Sequence, residues 1–133
     1  MQERSLVQSR GFRNTGPEQA RTGFEFLLRL PNYRGMRACL ADGVDVTVDA
    51  EQFPYTANRL VIQGRELTLE QLRETVELRW AVDEPIIVRV ARPGGLSVGV
   101  HDISVGVRIR QPYFPIQFQP SVIHETREAT IIL

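Results

Sequence analysis

Phe24, Phe26, Leu28 and Leu30 occupy every second position, with Glu25, Leu27 and Arg29 between them, a period of two that puts one apolar row on one face of a strand. Val44, Val46 and Val48 repeat the pattern against Asp45, Thr47 and Asp49, which sends Asp45 and Asp49 to the solvent side. The longest alternation starts at His101. There Ile103, Val105, Val107 and Ile109 interleave with Asp102, Ser104, Gly106, Arg108 and Arg110, and predict a strand of about ten residues. Further strands are predicted from Glu77 to Val82, from Ile86 to Arg92 and near the C-terminus, where Ala129 to Leu133 is an apolar tail. Such alternation marks half-buried antiparallel strands, because an all-parallel sheet carries unbroken apolar runs.

Turn chemistry separates these runs at short intervals: Pro31-Asn32 with Gly35, Ala41-Asp42-Gly43, Gln63-Gly64, and Pro93-Gly94-Gly95. Gln63-Gly64 predicts a hairpin between residues 59–63 and 65–67. Thr68-Leu69-Glu70-Gln71 reads as a capping box that opens a helix ending near Glu74. Many short strands and one brief helix predict an all-β chain: an antiparallel β-sandwich, jelly-roll or Ig-like, with one short helix near residues 68–74. The expected organisation is a single domain over residues 1–133, with residues 1–10 a flexible segment and residues 15–18 a second mobile stretch.

Composition narrows the function classes. The chain has 133 residues, 42% hydrophobic and 24% charged, which is the globular norm. Sixteen basic and sixteen acidic side chains cancel, leaving no global field to hold nucleic acid or an anionic membrane. All the basic residues are arginine, so Schiff-base chemistry on lysine is excluded. No apolar run approaches the roughly 20 residues of a membrane helix. Met1-Gln2-Glu3-Arg4 leads into no apolar signal core, and the single cysteine, Cys39, closes no internal disulfide. The expected location is cytoplasmic.

Catalytic equipment is sparse. His101 and His124 fit no metal-ligand spacing, and both read as partly exposed turn residues. Cys39, within Met36-Arg37-Ala38-Cys39-Leu40, reads as a small buried hydrophobe. Asp42, Asp45 and Asp49 lack the ligand order of a calcium loop. Trp80 reads as core. No residue of this chain is assigned a catalytic or metal-binding role, and no cofactor is assigned to it.

Two segments stand apart. Arg29-Leu30-Pro31-Asn32-Tyr33-Arg34-Gly35 ends a strand in a loop with an aromatic beside arginines, and residues 108–118 carry Tyr113, Phe114 and Phe118 in a proline-braced run. Tyrosine, phenylalanine and arginine anchor interfaces. They also close the ends of sandwiches, and composition alone leaves both readings open.

The same residues carry a resemblance. Gly11-Phe12-Arg13-Asn14, Gly23-Phe24-Glu25-Phe26, the Arg29–Gly35 loop, Leu78-Arg79-Trp80 before Glu84-Pro85, Pro93-Gly94-Gly95-Leu96 with Gly99 and His101, and Arg108-Ile109-Arg110 before Tyr113 resemble the small (beta) subunit of bacterial C-glycoside deglycosidases. The order holds from about residue 11 to residue 120. Asp83 and the run Gln111-Pro112-Tyr113-Phe114-Pro115 depart from the family pattern, as does the tail after Pro120. The resemblance implies a β-sandwich that pairs, in a hetero-oligomer, with a sugar-isomerase-like TIM-barrel alpha subunit holding a divalent metal, usually manganese (Mn2+). It implies a lyase that cleaves 3-oxo C-glycosides, flavonoid glycosides among them, by β-elimination, with metal and acid/base residues on the partner. The partner-facing surface is then expected at Tyr33, Arg34, Arg110, Tyr113, Phe114 and Pro115. The alternative is a stand-alone carbohydrate-binding or structural accessory sandwich for another isomerase-like barrel enzyme.

Overall fold

The computed structural model describes residues 4–31, 34–110 and 121–132. Its strands are β1 (Arg13–Thr15), β2 (Gly23–Leu28), β3 (Met36–Arg37), β4 (Ala41–Val48), β5 (Glu51–Phe53), β6 (Arg59–Ile62), β7 (Arg65–Leu67), β8 (Arg79–Trp80), β9 (Ile86–Ala91), β10 (Gly99–Ile109) and β11 (Ser121–Ile131); one helix, α1, spans Leu69–Glu74. Every pairing is antiparallel. One sheet has the order β1-β2-β9-β6-β7, the other β11-β10-β4-β5, and β3 and β8 form a two-residue ribbon. The sheets are open and share one apolar core, as the alternation requires: an antiparallel β-sandwich.

The apolar rows meet between the sheets. Phe24, Phe26 and Leu28 of β2 and Val88 and Val90 of β9 face Val44, Val46 and Val48 of β4 and Ile103, Val105 and Val107 of β10, all nearly inaccessible to water. Across the gap the Phe24 ring meets Phe53 edge-on at 5.4 Å, and Phe12 caps the same ring at 6.1 Å. Each such side chain contributes about 1.5–3 kcal/mol of burial. Trp80 is fully buried, as its sequence context suggests.

Local chemistry sets the turns. Gln63 and Gly64 both adopt positive φ, at 51° and 78°, the two-residue geometry that closes the β6–β7 hairpin. The Thr68 hydroxyl accepts from the Gln71 N–H while the Gln71 side chain accepts from the Thr68 N–H, a capping box that starts α1. Leu72 anchors the helix in the core.

Several expectations change. The 77–82 strand shrinks to β8, because Glu84 N–H bonds to the Ala81 carbonyl in a turn. The C-terminal strand is longer than the apolar tail suggests and begins at Ser121. Residues 5–8, within the stretch expected to be flexible, are held. Val7 bridges Leu28, the Glu125 carboxylate accepts from the Leu6 and Val7 N–H groups at 2.8 and 3.0 Å, and Arg127 donates to the Val7 carbonyl at 2.8 Å. Leu6, Val7 and Gln8 are buried. The 15–18 stretch is a bonded turn, with Thr22 N–H on the Thr15 carbonyl and Ala20 N–H on the Pro17 carbonyl. Cys39 is only half buried, in the 3-10 turn 38–40.

Candidate functional site

Of the six residues expected to face a partner, Arg34 and Arg110 are described; Tyr33, Tyr113, Phe114 and Pro115 lie outside the described residues. Arg110 follows β10, and its backbone N–H donates to the Leu40 carbonyl at 2.8 Å, which fixes the strand end against the 38–40 turn. Arg34 is exposed and lies two residues ahead of β3, which leads into the same turn. Asp42, buried at the start of β4, joins this end of the sandwich to the helix. Arg73 of α1 donates to its Oδ1 from Nε at 3.0 Å and from Nη2 at 2.9 Å, and Arg110 Nε stands 3.8 Å from its Oδ2. One buried carboxylate therefore orders two arginines, with the Arg110 side chain 53% exposed. Sequence reasoning missed Asp42 and Arg73, whose contact crosses 31 residues.

A second polar cluster covers the outer face of the five-stranded sheet. Because Phe24 and Phe26 point inward, Glu25 points outward, opposite Arg13 of β1 and Arg89 of β9. Arg13 donates to Glu25 Oε2 at 3.0 Å, and Arg89 to Glu25 Oε1 at 2.8 Å. Arg89 also reaches Glu66, which accepts from Arg59 at 3.0 Å. The charges run Arg13–Glu25–Arg89–Glu66–Arg59 along a shallow groove of about 660 Å³. Hydrogen bonds from Arg89 and Arg59 hold Glu66 below the usual carboxylate range. Partial burial opposes the charge on Arg89, but its bonds to Glu25 and Glu66 raise its pKa overall. The ladder braces the sheet, with three arginines sharing two carboxylates.

The remaining acids and the histidines are structural or exposed. Asp45 accepts from the Tyr55 N–H at 2.9 Å and from Arg108 Nε at 3.0 Å, and the Arg108 guanidinium lies 3.9 Å over the Tyr55 ring. His101 is buried, against the expectation of a partly exposed turn residue. Its Nδ1 meets Asp49 Oδ2 at 2.5 Å and its Nε2 meets the Ser97 carbonyl at 2.7 Å. Two acceptors on two ring nitrogens select the doubly protonated imidazolium. Burial opposes that charge, yet the Asp49 and Ser97 bonds lift the pKa above the ordinary 6.5. Asp49 is correspondingly lowered, by the His101 bond first and the Asp102 N–H second. His124 stands exposed on the outer face of β11 rather than in a turn. Among the described residues no three His, Cys, Asp or Glu side chains gather so as to hold a metal ion.

The family model described as C-glycoside deglycosidase beta subunit matches residues 2–113. The chain belongs to the C-glycoside deglycosidase beta subunit family. It is similar to the C-glycoside deglycosidase beta subunit of Eubacterium cellulosolvens, with 32% identity over 114 residues, covering 85% of this chain and 78% of the relative. It is also similar to the 3'-dehydrocarminate deglycosidase beta subunit of a Microbacterium species, at 29% identity over 79% of each chain. A Microbacterium trichothecenolyticum C-glycoside deglycosidase beta subunit matches at 25%, over 84% of this chain and 80% of its own length. Both polar clusters, at Asp42 and at Glu25, fall inside the span matched by the C-glycoside deglycosidase beta subunit model.

Proposed function

We propose that this chain is the beta subunit of a heteromeric carbon–carbon lyase that releases an aromatic aglycone from 3-oxo C-glycosides, and that it acts by contact with a TIM-barrel alpha subunit. In such a β-elimination the 3-oxo group acidifies the proton on sugar C2, and an acid protonates the departing aromatic carbon. A divalent ion, manganese in this reading, stabilises the enolate when bound. The described residues do not fit that ion, so no metal step is routed through this chain, and ion, base and acid are assigned to the partner. The chain's own part is to present an ordered surface.

The observation that carries this reading is that the buried acid–base groups are committed to the fold, Glu25 and Asp42 to arginines and His101 to Asp49. The partner surface is proposed at the sandwich end that carries Arg34 and Arg110, together with Tyr33, Tyr113, Phe114 and Pro115, their neighbours in sequence. Arg110 is suited to this role because its backbone is pinned and its guanidinium is pre-oriented by Asp42. Tagged chain co-expressed with the alpha subunit tests the placement. Replacing Tyr113 and Phe114 by alanine, or Arg110→Glu, is expected to lower recovery of the alpha subunit by about tenfold or more. Unchanged recovery with each folded variant rejects this surface.

A further inference from the structure

Among the described residues the two larger sheets have four edge strands, and three of them, β1, β5 and β7, stop after three residues, which leaves little backbone for another chain to pair with. The fourth, β11, runs for eleven, and among the described residues it pairs only with β10. It also lies beyond the span 2–113 shared with the family. Its outward side chains, Val122, His124, Thr126, Glu128 and Thr130, are exposed.

The charges on this edge are unbalanced within one copy. Glu128 stands directly opposite Asp102 of β10, and like charges so placed destabilise a sheet. Among the described residues neither side chain has an ion-pair partner. The ring of His124 lies over Gly106, where a Cβ would stand 3.2 Å from its Cε1, and it makes no hydrogen bond to any described residue. Two carboxylates and one donor, Asp102 on β10 and Glu128 and His124 on β11, are left facing outward on this face of the sheet.

Run antiparallel to itself with Thr126 at the centre, the sequence of β11 sets His124 and Glu128 against each other. His124 meets Glu128, Glu125 meets Arg127, Val122 meets Thr130, and Ile123 meets Ala129. His124 offers Glu128 a hydrogen-bond donor, Glu125 and Arg127, already bonded to Leu6 and Val7, stand opposite each other as unlike charges, and Val122 of one copy comes beside the row formed by Thr130 and the exposed Val100 of the other. Neighbouring registers fail. Centring on Glu125 or on Arg127 sets like charges against each other. A two-fold pairing also keeps inner face with inner face, so the two four-stranded sheets continue into one.

We propose that β11 is a self-association edge through which two copies of this chain pair antiparallel about a two-fold axis at Thr126. The occupant is a second copy because the strand's charge order is self-complementary in a single register. This assembly is separate from the contact with an alpha subunit and stands whether or not that contact exists.

Sedimentation equilibrium of the full chain tests it. The wild type is expected to dimerise. His124→Glu, which sets Glu against Glu128 twice, is expected to raise the dissociation constant by about tenfold. Adding Glu128→Arg to that variant should restore it. A second measurement fixes the register and does not depend on those variants: in a Cys39→Ala background, Thr126→Cys should form an intermolecular disulfide on mild oxidation, while Thr130→Cys, which faces Val122, should not. A wild-type chain that sediments as a monomer at every concentration overturns the proposal. So does equal cross-linking by the two cysteine variants, or a folded His124→Glu chain with unchanged dissociation.

Discussion

His101 and Asp49 are 52 residues apart in sequence and 2.5 Å apart in space, joining the start of β10 to the β4–β5 turn. The imidazolium faces Asp49 from that turn and the Ser97 carbonyl from its own loop, with the Phe12 ring edge-on at 6.2 Å and the charge of Arg92 opposing it. Its folded pKa lies above 6.5, so its contribution is fully present below the unfolded value and is lost as pH rises through the folded one. The lowered Asp49 works in the opposite sense: its contribution is present above 3.8 and is lost as pH falls through its depressed folded value. Thermal unfolding of the wild type should therefore show a Tm that declines from pH 6.5 upward, and His101→Gln should flatten that decline. A His101→Gln chain with the same slope contradicts the buried imidazolium.

Asp49 and Ala50 both sit at positive φ, 49° and 73°, to turn β4 into β5. An alanine in this region is strained by about 1 kcal/mol, which glycine relieves. Ala50→Gly should raise stability by about 0.5–1 kcal/mol in urea denaturation, although the same change in a regular strand would lower it. A loss of stability shows that this turn has a different geometry.

Glu25 is buried between two arginines on the outer face of its sheet. Removing it leaves Arg13 and Arg89 without their shared acceptor, and because both guanidiniums keep access to water the loss is about 1–3 kcal/mol. Glu25→Ala should lower the urea midpoint with the m-value unchanged. Arg13→Ala, whose side chain is 68% exposed, should cost well under half as much.

Val7 is fully buried in a segment pinned by Glu125 and Arg127. Val7→Ala is expected to cost about 1.5–3 kcal/mol, where a free tail would give an effect within about 0.5. Hydrogen exchange at the Leu6 and Val7 amides should be protected in the wild type and faster in Glu125→Ala.

The sandwich is legible in the sequence because the period-two rows at residues 24–30, 44–48 and 103–109 each report burial directly, and Thr68-Leu69-Glu70-Gln71 encodes its own cap. β5 is not legible, because Asp49-Ala50 lacks the glycine that signals a tight hairpin; what holds Asp49 in that conformation is His101, a contact visible only in space. The N-terminal segment is missed for a similar reason. Ser5-Leu6-Val7-Gln8 carries no strand pattern, and its partners lie nearly 120 residues away. Of the candidate interface, the sequence exposes the arginine-aromatic composition, whereas the carboxylate that orders Arg110 becomes apparent only when β4 and the end of β10 are brought together.

The most direct measurement is reconstitution: this chain and the proposed alpha subunit, purified separately, assayed alone and mixed for release of the aromatic aglycone from a 3-oxo C-glycoside, before and after chelation and return of a divalent metal. The account predicts turnover only in the mixture and only with metal. Turnover by this chain alone, or an alpha subunit whose rate is unchanged by its addition, would contradict it.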